Sequence, residues 1–272
     1  MAIQVANIIN GVLGRTLWKK QRGRFPKISW IKEKRLKHED DKLLKTIRLD
    51  KFKLNYKRPY ELLHTYKELF LDEIYNFTAT SPAPYIIDCG ANIGLSVLYF
   101  KNLYPNATLL AFEPDADNYS LLLKNIEANR LSNVECRQSA VWIHNEFISF
   151  TSDGTQGSSI TTQPSINTVK IKAERLADII STRKVDFLKI DIEGAELDVL
   201  KDCEPFFANV ENLFVEYHGK TNDTEKLNQL IQTVKSHYRV YIKMAADNLD
   251  FPFVSKSTAG SFDVQLNIFC FK

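Results

Sequence analysis

Acids and glycines stand where two apolar runs of the sequence stop. The run "YII" at 85–87 is followed at once by "DCGANIG" at 88–94, and the run "ATLLAF" ends at Glu113. Glycine lets a backbone turn tightly and lets a ligand approach it closely. A carboxylate can accept hydrogen bonds from both hydroxyls of a ribose. The 23 positions from Gly90 to Glu113 are close to the ~20 expected for a nucleoside-binding unit, so this group indicates a nucleoside site.

A second group of titratable residues lies further along the chain, in "LKIDIEGAE" (188–196) and "VEYHG" (215–219). Acids this close in space repel one another, so they need a cation, a proton or a substrate network to offset them. Acids that cap a helix N-terminus are the alternative interpretation for part of the group. Its members are Asp191, Glu193, Glu196, Glu216 and His218.

The glycine pattern bears on which nucleoside is bound. The dinucleotide fingerprint GxGxxG is missing, because the loop reads "DCGANIG" and is poorly prepared for a pyrophosphate. A nucleoside that carries an amino-acid tail and no phosphates fits better, which predicts S-adenosylmethionine. Ser139 and Ala140, in "CRQSAVW", are the candidates to border the adenine. An NAD- or nucleotide-sugar-dependent enzyme on a similar fold is the alternative.

The elements that must position these residues begin at residue 85, where short apolar strands start to alternate with helical patterns. This alternation predicts an α/β fold with a doubly wound, mostly parallel, Rossmann-like sheet. Ligands of such sheets bind beyond the carboxyl ends of the strands, so both groups of residues are expected at one cleft. The last two strands, 239–244 and 261–271, have no helix between them, which predicts an antiparallel C-terminal strand. The other predicted strands are 85–89, 107–113, 134–142, 146–151, 168–172, 185–191 and 210–218.

The first part of the chain differs from the rest in charge. Residues 1–60 hold 17 Lys and Arg against 5 Asp and Glu, within a chain whose net charge is +3. The prolines of "TSPAP" (80–84) supply a boundary. We therefore predict a basic, mainly helical N-terminal extension over 1–80 and a catalytic domain over 81–272. Peripheral contact of residues 1–60 with an anionic membrane is one hypothesis. Contact with nucleic acid, contact with the acidic rest of the chain and a solvated basic surface are the alternatives.

Targeting signals and cysteines predict a cytoplasmic protein. The apolar N-terminal segment is too short and polar to span a bilayer, which takes ~20 apolar residues. Its positive charges follow the apolar part, the reverse of a secretory signal. The four cysteines lie far apart without a CxxC pair, which argues against a disulfide framework or a zinc site.

Four motifs, in this order, resemble those of FkbM-type methyltransferases. They are "YIIDCGANIGLSVLYF" (85–100), "AFEPDADNYSLLLKNIEAN" (111–129), "VDFLKIDIEGAELDVLK" (185–201) and "VEYHG" (215–219). The resemblance implies a class I methyltransferase that uses S-adenosylmethionine and methylates a hydroxyl, often on a sugar or a natural product. It also marks "GTQGSSI" (154–160) as a loop that covers the pocket. The cofactor contacts expected from the residues and the resemblance together are Asp88, Gly90, Ala91, Asn92, Gly94, Glu113, Pro114, Ser139, Ala140 and Asp191.

The resemblance places the acidic group on the acceptor side, and an alcohol must lose its proton to accept a methyl group. His218 is predicted as the general base, with Asp191 or Glu193 orienting it or binding sugar hydroxyls, and Glu196 beside them. No metal ligand is assigned, although a divalent ion bound by these acids is an alternative.

Two other classes of function are alternatives. A nucleic-acid methyltransferase is disfavoured because no NPPY-type loop follows the fourth strand to stack a flipped base; no nucleic-acid partner is expected. A non-catalytic scaffold that binds the cofactor's product, or a partner through residues 1–60, is the other alternative.

Overall fold

The computed structural model describes residues 24–151, 159–160, 168–246, 253–254 and 262–272. Its strands are β1 (Lys45–Leu49), β2 (Phe52–Tyr56), β3 (Tyr85–Cys89), β4 (Thr108–Phe112), β5 (Val134–Arg137), β6 (Ala140–Trp142), β7 (Phe147–Thr151), β8 (Ser159–Ile160), β9 (Thr168–Arg175), β10 (Val185–Ile190), β11 (Val210–Gly219), β12 (Arg239–Ala246) and β13 (Val264–Phe271). Its α-helices are α1 (Trp30–Leu36), α2 (Pro59–Tyr66), α3 (Leu95–Leu103), α4 (Ala116–Ala128), α5 (Leu176–Ile180), α6 (Glu196–Cys203) and α7 (Thr224–Lys235). A π-helical turn, Lys67–Leu71, continues α2, and a 3-10 turn, Glu204–Asn209, continues α6.

The central sheet has seven strands in the order β12-β13-β11-β10-β3-β4-β5. The five strands from β11 to β5 pair in parallel, whereas β13 is antiparallel to both β11 and β12. This confirms the predicted doubly wound, mostly parallel sheet with an antiparallel C-terminal strand. The strand order changes direction between β3 and β10, because β4 lies on one side of β3 and β10 on the other. A ligand cleft is expected at the carboxyl ends of these two strands.

The sheet is covered on both faces, which explains why its strands read as nearly continuous apolar runs. Ile86 and Ile87 are neighbours on β3, both fully buried, and they belong to different hydrophobic clusters because successive side chains of a strand point to opposite faces. The cluster around Ile87 includes α5, α6 and α7. The cluster around Ile86 includes α3 and α4.

The described part of the N-terminal extension packs on the α3 and α4 face of the sheet. Phe25, Phe52, Tyr66 and Phe70 join the same cluster as Ile86, and the Phe70 ring lies 4.9 Å from the rings of both Phe25 and Tyr66. Besides helices, this part contains the β1–β2 hairpin, which the sequence pattern did not predict. The boundary at residue 80 stays a prediction, since the apolar core continues across it.

A smaller sheet, β6-β9-β7-β8, follows β5. None of the helices in the described parts of the chain is long and apolar enough to cross a membrane. All four cysteines are free thiols. Residues 1–23, which hold much of the predicted membrane contact, lie outside the described residues, so that contact stays a prediction.

Candidate active site

A cavity of about 420 Å³ opens at the carboxyl edge of the sheet, within the ~300–1,000 Å³ typical of small-molecule sites. Two sets of residues line its two ends. The "β3–β4 half" comprises Gly90, Ala91, Asn92, Glu113 and Pro114, which follow strands β3 and β4. The "β10–β11 half" comprises Asp191, Glu193, Glu216 and His218, which follow β10 or lie near the end of β11. Members of both groups of residues expected at one cleft therefore line one cavity.

Glu113 is the carboxylate of the β3–β4 half, and it is 5% exposed. Its Oε2 accepts a hydrogen bond from the Asn92 backbone N–H at 2.7 Å, and its Oε1 accepts one from the Asp115 N–H at 2.9 Å. Burial raises the pKa of Glu113 to about 7, against the lowering effect of these two donors. Each carboxylate oxygen can accept a second hydrogen bond, so both remain able to accept one from a pair of ribose hydroxyls.

The two glycines of the β3–α3 loop are required by the chain's own packing. Gly90 has φ +89°, and a Cβ there would lie 2.0 Å from the Asp191 backbone oxygen. Gly94 has φ +91°, and a Cβ there would lie 2.6 Å from Leu122 Cδ1. We expected these glycines to leave room for a ligand. Gly90 does line the cavity, but its missing side chain makes room for the loop after β10, and Gly94 does not line the cavity.

Asp88 also lies behind the cavity wall, contrary to its predicted contact with the cofactor. It is fully buried, its Oδ2 accepts a hydrogen bond from Ser96 Oγ at 2.5 Å, and its Oδ1 is 3.3 Å from Lys189 Nζ. Lys189 donates to the Gly90 carbonyl at 2.7 Å and pairs with Asp191 Oδ2 at 3.1 Å. Burial opposes its charge, but Asp191 and Asp88 raise the pKa of Lys189 well above its usual value. Asp88 is therefore placed to hold Lys189.

Lys189 is not among the site residues predicted from the sequence, although the sequence contains a signal for it. "VDFLKID" is an apolar strand with one lysine two residues before Asp191. A lysine inside a buried strand needs a buried carboxylate partner, because an isolated charge there is costly.

The remaining predicted cofactor contacts lie along the cavity wall. Pro114, Ser139 and Ala140 line it, together with the apolar Phe112 and Val141. Ser139 Oγ already donates a hydrogen bond to Glu174 Oε1 at 2.9 Å. This wall can therefore offer a flat aromatic ring apolar contact and backbone groups.

In the β10–β11 half, His218 is surrounded by acids. Its Nδ1 lies 3.1 Å from Glu196 Oε1, and its Nε2 lies 3.6 Å from Glu193 Oε2 and 3.8 Å from Glu216 Oε1. Glu196 is 1% exposed and does not line the cavity. Its Oε1 also accepts a hydrogen bond from the Gly194 N–H at 3.0 Å, so it fixes both the imidazole and the loop that carries Glu193.

The charges of this half are strongly coupled. Burial disfavours a charged imidazole, but the hydrogen bond and charge of Glu196, with the charges of Glu193 and Asp191, outweigh it and raise the pKa of His218 to about 10. Glu193 and Glu216 each have a pKa raised to about 8, and burial is the main cause in both. An imidazole that holds its proton at neutral pH cannot accept another, so His218 does not fit the predicted role of general base. Its place among the acceptor-side residues stays a prediction.

The N-terminal extension supplies a wall of the cavity that the sequence analysis did not predict. His64, Thr65 and Glu68, on α2 and the turn after it, line the cavity, and Glu68 Oε2 is 3.3 Å from His64 Nδ1. No local pattern marks them, because their approach to the cleft depends on how the extension packs. Residues 154–158 of the predicted covering loop lie outside the described residues.

The lining of the β3–β4 half fits S-adenosylmethionine. A buried carboxylate oriented by two backbone donors suits a ribose diol, and the adjacent apolar wall suits adenine. The backbone N–H groups of Gly90, Ala91 and Asn92 already donate to Phe112 and Glu113. The β10–β11 half then continues the same cavity beyond this position.

Comparison with known proteins agrees with this geometry. Residues 88–242, more than half of the chain, match the family model described as the methyltransferase FkbM domain. "Methyltransferase sdnD" of Sordaria araneosa is 31% identical over 188 residues, which cover 56% of this chain and 73% of that protein. "Methyltransferase 1" of Beauveria bassiana is 28% identical over 199 residues, 64% of this chain and 79% of that protein. "Hexuronic acid methyltransferase AglP" of Haloferax volcanii is 26% identical over 152 residues, 54% of this chain and 61% of that protein. The chain therefore belongs to the FkbM methyltransferase family, and its methyl donor is S-adenosylmethionine.

Proposed function

We propose that this protein transfers the methyl group of S-adenosylmethionine to a hydroxyl group of a sugar, a glycan or another natural product. The observation that carries the proposal is the β10–β11 half. Asp191, Glu193 and Glu216 line the cavity next to the position where the β3–β4 half fits the donor. Carboxylates accept hydrogen bonds from hydroxyl donors, and one of them can take the proton that an alcohol must lose.

The sugar class has additional support from one relative. A protein 26% identical to this chain carries the name hexuronic acid methyltransferase. A sugar presents several neighbouring hydroxyls, which a cluster of carboxylates can bind together.

S-Adenosylmethionine supplies a methyl group already activated by a positive sulfur atom. The protein's part is to hold the acceptor oxygen in line with that methyl group and to receive its proton. We assign the proton acceptor to the ionised form of Glu216, which becomes the main form above its raised pKa of about 8. Glu216 lines the cavity 3.8 Å from His218 Nε2. No hydrogen bond occupies its carboxylate among the residues that the structure describes. His218, fixed by Glu196, holds positive charge beside it.

The test uses S-adenosylmethionine with a labelled methyl group and a panel of free and glycosidic hexuronic acids and hexoses. We expect label in a product that survives mild alkali, as an ether does and an ester does not. Glu216→Gln is expected to lower turnover ~10²–10⁴-fold while the affinity for S-adenosylmethionine changes less than about threefold. The exposed Glu225→Gln is the control and is expected to match wild type.

Label in nitrogen or in an alkali-labile ester would contradict O-methylation. Wild-type turnover by Glu216→Gln would exclude its role as proton acceptor. The cytoplasmic location also stays a proposal, and fractionation of cells that express the full chain tests it.

A further inference from the structure

When its carboxyl groups are ionised, the β10–β11 half contains more negative than positive charge. Four carboxylates, Asp191, Glu193, Glu196 and Glu216, surround one imidazole, and the nearby Lys189 is shared with the buried Asp88. In a mostly buried site, carboxylates this close repel strongly unless a cation offsets them. This excess of acids alone defines no site, but the position of His218 adds a second observation.

His218 has a side chain that is 2% exposed, and its two ring nitrogens have different surroundings. Nδ1 has a hydrogen-bond partner, Glu196 Oε1, at 3.1 Å. Nε2 points into the acidic cluster but makes no hydrogen bond to a described residue, since its nearest carboxylate oxygens are 3.6 and 3.8 Å away. These gaps are too long for hydrogen bonds. They match the spacing of neighbouring ligands around a divalent ion, about 3–4 Å when each ligand lies about 2–2.5 Å from the ion.

The ligand atoms are also close enough together as a set. One carboxylate oxygen each from Asp191 and Glu193, and one ring nitrogen of His218, all lie within 4.8 Å of one another. Ligands on opposite sides of an ion would be separated by about 4–5 Å. Asp191 and Glu193 come from the loop after β10, and His218 comes from the end of the neighbouring strand β11, all at the carboxyl edge of the sheet.

The surroundings hold these ligands in place. Glu193 has φ +56°, a conformation that costs a non-glycine residue energy and that is found where the surrounding structure enforces it. Glu196 Oε1 enforces it by accepting from the Gly194 N–H while it also bonds His218 Nδ1. A buried carboxylate on one ring nitrogen, with the other nitrogen left for the ion, is how proteins orient metal-binding histidines.

We propose that Asp191, Glu193 and His218 bind one divalent cation, Mg²⁺ or Mn²⁺, at the acceptor end of the cavity. Two carboxylates and one imidazole, with room for water in the cavity, are ligands that suit these ions. The ion would replace the proton that His218 Nε2 carries in the ion-free protein, because a metal-binding nitrogen must be deprotonated. It would offset the acidic charge and would lie where the proposed function places the acceptor hydroxyl. Its catalytic consequence rests on the proposed function, but its binding does not.

The test is a titration of the full chain with MnCl₂, in which free Mn²⁺ is measured by electron paramagnetic resonance, and with MgCl₂ by calorimetry. Both are done with and without S-adenosylhomocysteine. We expect about one equivalent of bound ion in wild type. Asp191→Asn and Glu193→Gln are each expected to weaken binding at least tenfold, and Glu196→Gln by ~10–100-fold through the orientation of His218.

The matched control is His237→Gln. His237 also pairs with a glutamate, Glu204, at 3.4 Å, but this pair lies on the surface away from the cavity. It is expected to leave ion binding unchanged within twofold. A second readout needs no variant, because Mn²⁺ should broaden the imidazole NMR signals of His218 and leave those of His237 sharp.

Several outcomes would overturn the site. The first is that wild type shows no saturable binding of one equivalent of ion under either condition. The second is that folded Asp191→Asn and Glu193→Gln bind the ion as tightly as wild type. The third is that Mn²⁺ broadens the NMR signals of both histidines equally. The first outcome would mean that the imidazolium alone offsets the acids. Ion binding without methyl transfer to any hydroxyl would count against the proposed function and leave the site standing. Methyl transfer by chelator-treated protein that binds no ion would count against the ion site and leave the proposed function standing.

Discussion

The two halves of the cleft hold their carboxylates in different ways. In the β3–β4 half, the single lining carboxylate of Glu113 accepts one backbone hydrogen bond on each oxygen, at 2.7 and 2.9 Å. In the β10–β11 half, Glu193 and Glu216 approach His218 Nε2 only to 3.6 and 3.8 Å. Backbone donors complete the first arrangement locally, and it is suited to a neutral diol. The second arrangement needs a cation or hydroxyl donors to complete it, which is the chemistry expected of an acceptor site.

Two contacts join the halves. Lys189 Nζ bonds the Gly90 carbonyl on one side and Asp191 Oδ2 on the other, and the Asp191 backbone oxygen occupies the space beside the Gly90 Cα. The loops after β3 and β10 therefore cannot move independently. Variants at these contacts are expected to disturb both halves, whereas variants within one half should leave the other intact.

The largest expected effect is that of Lys189→Met, which removes the buried cation between the halves. Asp88, fully buried, would keep only the hydrogen bond from Ser96. Breaking one partner of a buried ion pair destabilises a protein by ~3–5 kcal/mol. The free energy of unfolding from urea denaturation measures this. Lys201→Met, at an exposed lysine that bonds the Gln229 side chain, should change it by less than about 0.5 kcal/mol. Equal stability of the two variants would contradict the account of this contact.

Gly90→Ala comes next, because it forces a Cβ against the backbone of the other half. The left-handed φ and the clash with the Asp191 oxygen together should cost about 3 kcal/mol. Gly194→Ala is the matched comparison. Its φ is +98°, but its Cβ would only touch the Phe262 ring at 3.4 Å, so the conformation alone should cost ~1–2 kcal/mol. Urea denaturation of both variants measures the loss in the free energy of unfolding. A loss in Gly194→Ala equal to or above the loss in Gly90→Ala would contradict the clash.

A smaller effect, in pH dependence, distinguishes the two halves without disturbing the fold. The pKa of Glu113 is raised to about 7 in the free protein, and the carboxylate is the form that accepts both ribose hydroxyls. Below pH 7 the group must lose a proton to bind, so the affinity for S-adenosylmethionine should rise about fivefold from pH 6 to 7 and about tenfold from pH 6 to 8. Above about pH 8 it should level off. Calorimetry across this range tests the slope, with Glu113→Gln as a control for titration of the ligand itself. An affinity that falls as pH rises would contradict the assignment.

Much of this architecture could be predicted from the sequence. Apolar runs that stop at Asp88, Glu113 and Asp191 mark the ends of β3, β4 and β10, since strand ends and helix starts depend on nearby residues. The parallel sheet then brings those ends to one edge. The distance along the chain between Gly90 and Glu113 was therefore enough to place a nucleoside site.

What could not be predicted depends on contacts between distant parts of the chain. The β1–β2 hairpin is fixed by Asn125 and Asn129 of α4 and its C-terminal end, which accept hydrogen bonds from the backbone of Asn55 and Lys53. The approach of Glu68 to the cleft follows from how the extension packs. The role of His218 depends on the contact between its Nδ1 and Glu196. The spacing of these two residues in the sequence could not predict that contact.

The measurement that tests the division of the cleft most directly compares one change of carboxylate to amide in each half. The affinity for S-adenosylmethionine is measured by calorimetry at pH 8 for wild type, Glu113→Gln and Glu193→Gln. Hydrogen bonds to charged groups are worth ~1.5–3 kcal/mol, so Glu113→Gln should weaken binding by about tenfold or more. Glu193→Gln should change it by less than about threefold. Unchanged binding by Glu113→Gln, or an equal loss in Glu193→Gln, would contradict the placement of the methyl donor in the β3–β4 half.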